Sequence, residues 1–108
     1  MDQLSVRTTV LSQFPAEDHD HFGKVAFRRK AKKAGGKPGK TFLTLWLDEG
    51  FTVLMLTVDQ QAELLDHRSG AFERHPSKWG DKGATIMRLD KVNERIFLEA
   101  VTIAFSNT

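Results

Sequence analysis

Residues 41–58, TFLTLWLDEGFTVLMLTV, read as two β-strands joined by a tight turn at Asp48-Glu49-Gly50. Gly50 supplies the backbone freedom that so short a connection needs. Side chains alternate across a strand, so Leu43, Leu45 and Leu47 point one way and Phe42, Thr44 and Trp46 the other. In the second strand Phe51, Val53, Met55 and Thr57 alternate with Thr52, Leu54, Leu56 and Val58. The leucine side suits full burial, whereas the Phe42/Thr44/Trp46 side is amphipathic. No other stretch is as dense in strand formers, so the rest of the chain is expected to pack on this hairpin or extend it.

Upstream, residues 3–14 place Val6, Val10, Leu11 and Phe14 at helical spacing, and Pro15 stops the helix. Residues 17–21, EDHDH, read as a polar connector. Residues 21–29 read as a strand with Phe22, Val25 and Phe27 as its apolar members. Residues 30–40, KAKKAGGKPGK, are a loop by composition, expected to form a long, mobile hairpin tip. Downstream, Asp59 reads as the N-cap of a helix over 60–67 that sends Ala62, Leu64 and Leu65 to the core. Arg68-Ser69-Gly70 ends it, residues 71–74 form a short strand, and 76–83 are turn-rich around Trp79. A strand over 84–89 follows. Asp90 then caps a last helix, largely apolar through Val92, Ile96, Phe97, Ala100, Val101, Ile103, Ala104 and Phe105, which is expected to be well buried. The expected order is α-β-β-β-α-β-β-α, an α+β two-layer sandwich with an antiparallel sheet and helices on one face. The 108 residues form a single domain, with one sheet face left at least partly open.

Forty per cent apolar and 28% charged residues make an ordinary globular balance, and the absence of cysteine removes disulfide and thiolate chemistry. The opening MDQLSVRTTV has no apolar run, and no stretch approaches the roughly 18 residues of a membrane span. A cytoplasmic monomer without cofactor is the expectation. The net charge is only +2, yet half of the 16 Lys and Arg residues fall between 24 and 40, where no acid occurs. Such a local field attracts phosphates or acidic surfaces whatever the total charge.

Several short stretches, in this order and spacing, resemble the MmcQ/YjbR family of small bacterial proteins. They are His21-Phe22-Gly23-Lys24, Ala26-Phe27-Arg28, residues 42–46 with Asp48-Glu49-Gly50, residues 54–65 with their Gln-Ala-Glu-Leu-Leu run, and Trp79-Gly80-Asp81-Lys82-Gly83. The resemblance covers most of the chain. It implies a secretion-chaperone-like fold and a DNA-binding protein with a double-wing arrangement. Two departures stand out: the 30–40 loop looks longer and more basic than the family's, and Ala84 stands where an aromatic is common.

The residues thus nominate a cationic wing made of Arg28, Arg29, Lys30, Lys32, Lys33, Lys37 and Lys40, with a second around Lys78, Trp79 and Lys82. The cations would meet phosphates, which position a protein without reading sequence, and Trp79 could stack on an unpaired base. The plainer reading is a solvated loop that keeps a sheet edge soluble, with Trp79 plugging one end of the core. A protein- or peptide-binding module using the open Phe42/Thr44/Trp46 row is the alternative function. His19 and His21 form an H-x-H pair that could supply half of a metal site, but a third ligand is not visible, and the plainer reading is a solvated polar connector. Enzyme motifs are missing. Residues 35–40, GGKPGK, suggest a phosphate loop, but Pro38 removes a donor and no helix follows.

Overall fold

A computed structural model of the chain describes residues 1–46 and 48–108. The elements are α1 (Gln3–Gln13), β1 (Ala16–His21), β2 (Lys24–Arg29), β3 (Thr41–Trp46), β4 (Phe51–Met55), α2 (Val58–Leu65), β5 (Phe72–Arg74), α3 (Lys78–Asp81), β6 (Ala84–Arg88) and α4 (Glu94–Ser106). The strands form one antiparallel sheet in the order β1-β2-β3-β4-β6-β5. The expected α+β order holds, with two elements added. One is β1, where a connector was expected; the other is α3, inside the turn-rich segment.

The hairpin of β3 and β4 lies at the centre of the sheet, paired Leu43 to Leu54 and Trp46 to Phe51 across the turn at Asp48-Glu49-Gly50. Leu47, expected on the leucine side, lies outside the described residues. Leu43, Leu45, Leu54 and Leu56 face α1, α2 and α4, which bring Val6 and Val10, Leu64, and Phe97, Ala100, Val101 and Ala104 to the same core. Phe42 departs from the alternation. The pairing of β2 with β3 shifts between Phe27 and Arg28, and this irregularity turns Phe42 to the helix side, fully buried against Phe14 and Phe105. The open-face row of Phe42, Thr44 and Trp46 therefore does not exist as a stripe. Thr44 is buried too, beneath Trp46, whose Nε1 donates to Thr44 Oγ1 at 3.0 Å.

Helix ends follow their capping chemistry rather than the nearest acid. Thr57 caps α2 through a reciprocal box with Gln60. The cap is thus not Asp59, and Val58 begins the helix instead of ending the strand. Its inward residues are Gln61 and Leu64, while Ala62 and Leu65 are exposed. Asn93 caps α4 by accepting from the Ile96 N–H at 2.9 Å, and Asp90 sits in the 3-10 turn Leu89–Lys91 before it. Asp2 caps α1 by accepting from the Ser5 N–H, and this hydrogen bonding holds its carboxyl below the usual carboxylate range. No helix among the described residues is long and apolar enough to cross a membrane.

Candidate nucleic-acid interface

Residues 30–40 leave β2 at Arg29 and return to β3 at Thr41. Three backbone hydrogen bonds fold them: Lys30 N–H to the Pro15 carbonyl, Gly36 N–H to Lys33, and Gly39 N–H to Arg29. Gly39 packs so close that a Cβ there would stand 2.8 Å from the Cβ of Arg29. The strand register then fixes what lies beside this loop. Arg28 pairs with Thr41, Met55 with Ala84, and Arg74 with Thr85. The 30–40 loop and the 75–83 connection therefore leave the sheet at the same end, with β4 between their hairpins. Lys30, Lys32, Lys33, Lys37, Lys40, Lys78 and Lys82 are all exposed there. Every ion pair among the described residues uses an arginine, so none of these seven lysines is neutralised by a carboxylate.

The two predicted arginines behave differently. Arg28 is half-buried on the open face, with Nη2 3.4 Å from Glu17 Oε2. Arg29 turns to the helix side, where Nε donates to Thr108 Oγ1 at 2.8 Å and the guanidinium lies 4.1 Å over the Phe105 ring. Both anchor the loop to the body. At the other end of the strands Asp20, Asp48, Glu49 and Asp90 are interspersed with Lys24, Arg88 and Lys91, so the cationic excess lies at the loop end.

The open face carries a second feature that spans four separate segments. β1 and β5 are opposite edges, which a flat sheet would hold about 24 Å apart at ~4.8 Å per strand. Yet the His21 ring on β1 lies 6.5 Å from Trp79 on α3, just beyond β5. The sheet is therefore strongly curled, as twisted sheets are. The contacts continue from Trp79 to His75 at 6.4 Å, His75 to Trp46 at 5.7 Å and Trp46 to Phe51 at 5.5 Å. Phe22 joins the other end of the row, 4.8 Å from His21. Cations lie along it: Lys24 Nζ is 3.7 Å from the Trp46 ring centre, and Arg88 is 5.2 Å over Phe51. Gly80 seats α3, because a Cβ there would fall 1.7 Å from the His75 carbonyl oxygen. Gln61 locks the same segment by donating to the Gly80 and Ala84 carbonyls at 3.0 Å each.

Trp79, expected as a stacking or plugging residue, is 46% exposed. Phe22, expected as an apolar member of the 21–29 strand, lies instead in a turn, 85% exposed with φ +54°. It forms with Gly23, at φ +81°, a two-residue turn with both φ positive, a geometry that favours Asn-Gly. His19 lies 2.9 Å from Thr41 Oγ1 through Nε2 and 3.0 Å from the Asp20 carbonyl through Nδ1. Among the described residues no three His, Cys, Asp or Glu side chains gather as a metal group. Compared with known proteins, the chain matches no family model, no curated protein and no solved structure at a significant level.

Proposed function

We propose that this is a non-enzymatic DNA-binding protein that grips the phosphate backbone with two cationic projections, the 30–40 loop and the segment around Lys78 and Lys82. The supporting observation is the placement of seven lysines without carboxylate partners at one end of the sheet, on the 30–40 loop and the 75–83 connection. The similarity of these stretches to MmcQ/YjbR proteins points the same way. Lysines on loops act as point charges, so binding is weak, indifferent to base sequence and strongly salt-dependent. Loop ordering is the main opposing cost, at about 1–2 kcal/mol per residue. The backbone bonds from Lys30, Gly36 and Gly39 already meet part of it. The peptide-binding alternative loses its exposed row, since Phe42 and Thr44 are buried.

The test is a salt titration with mixed-sequence duplex DNA. About four engaged phosphates give a slope near −3.6 for log affinity against log salt, at roughly −0.9 per contact. Replacing Lys30, Lys32 and Lys33 with Gln should flatten that slope and weaken binding while leaving the melting temperature unchanged. A triple variant that binds as well as the parent at low salt removes the loop from the interface.

A further inference from the structure

Resting on that reading, we infer that the preferred polyanion is single-stranded, its unpaired bases stacking on Trp79 and Phe22, the exposed members of the ring row on the curled face, while the lysines meet its phosphates. Lysine loops alone do not distinguish duplex from single strand, since both present phosphates. The ring row does. It runs Phe22, His21, Trp79, His75, Trp46, Phe51 with every neighbouring centre within 6.5 Å. Aromatic platforms alternating with cations are how proteins hold unpaired bases of any sequence, because every base has a π-face. In a duplex those faces are stacked on one another and closed to such a platform.

Two observations say that the row is built for an external partner. Trp79 leaves nearly half of its surface to solvent between exposed Lys78 and Lys82. Phe22 is the sole non-glycine residue with positive φ among those described, and it is the most exposed of the large hydrophobic residues. A bulky side chain in the left-handed region is strained, and such strain collects at ligand contacts. Among the described rings that of Phe22 contacts His21 alone, at 4.8 Å. Two of the nearby acids are engaged, Asp81 with Arg74 at 3.3 Å and Glu73 with Arg88 at 2.8 Å, whereas Asp48 and Glu49, beside Trp46 and Lys24, enter no ion pair among the described residues. Asp20, at the Phe22 turn, accepts from the Gly23 N–H at 3.4 Å. Its charge keeps phosphates off that end and leaves it to a base.

The chain has two tryptophans, so Trp46→Phe makes Trp79 the only indole reporter. Three probes are titrated at low salt: oligothymidylate, an abasic oligomer of equal length, and a duplex of equal length. The expected result is quenching of Trp79 by oligothymidylate alone, with affinity above that of the other two probes. In the otherwise native protein Trp79→Ala should weaken oligothymidylate binding roughly 5- to 150-fold, the loss of one to a few kcal/mol of stacking. Duplex binding should change less than about twofold. Equal affinity for all three probes overturns base stacking and leaves the backbone reading in place. Absence of binding to any nucleic acid at low salt overturns both.

Discussion

The two faces of the sheet are made of similar residues and do different work. On the helix side, α1, α2 and α4 cover a continuous core in which Phe27, Phe42, Leu43, Leu54, Met87 and Phe97 are fully buried. On the curled side a small cluster, Phe51, Val53, Ala84 and Ile86, is roofed by Trp46 and no long helix. There the aromatic rings touch at tilted angles and two of them, Phe22 and Trp79, reach solvent. One face excludes water and supplies stability. The other leaves planar, polarisable surface beside cations, and contributes less to holding the fold together.

The largest effect should come from the covered face. Phe97 is the largest fully buried side chain of α4, the helix that packs on β3 and β4. Phe97→Ala removes both its transfer free energy and the packing around it, for an expected loss of about 3–5 kcal/mol. Urea denaturation measures this directly. A cost no greater than that of Trp79→Ala, which lies half in solvent, would erase the distinction between the faces.

Phe22 tests the other side of the comparison, with the opposite sign. Asn tolerates the left-handed region far better than Phe and is favoured before Gly in a two-residue hairpin turn. Phe22→Asn should therefore raise stability by about 1 kcal/mol while weakening oligothymidylate binding. A midpoint that falls would mean that the ring contributes to the fold and that the turn is not strained.

These contrasts explain which parts were legible. The covered face announces itself through local periodicity: Leu43 and Leu45 in one strand, Leu54 and Leu56 in the next, and Phe97, Val101 and Ala104 on a helix. The edge strand β1, sequence AEDHDH, carries no such pattern, because a charged edge guards against pairing with other chains and has little to bury. Its turn carries no sequence signal because Phe22 occupies a position where Asn is usual. The side taken by Phe42 depends on a one-residue irregularity that leaves no mark in composition. The cationic loop could be read from its lysines alone. The ring row could not, since it joins β1, β3, β4 and the 75–79 segment, and only strand order and sheet curl bring them together.

The smallest effect concerns the charge pair at the edge of the open face. Arg88 Nε donates to Glu73 Oε2 at 2.8 Å, and that hydrogen bond holds the Glu73 carboxyl below the usual carboxylate range and the Arg88 guanidinium above its own. A lowered carboxylate stabilises the fold at neutral pH and loses that contribution as pH falls through its folded value, so the window lies on the acid side of ordinary carboxylate titration. Both side chains are partly in solvent, which limits the pair to about 0.2–1 kcal/mol. Glu73→Gln should thus lower the urea midpoint slightly at neutral pH and leave it unchanged in strongly acidic buffer. It also releases Arg88, which lies over Phe51 at the end of the ring row. Oligothymidylate affinity at low salt should therefore rise while stability falls. If both fall together, Glu73 supports the shape of the open face, and its charge is not what restrains the polyanion.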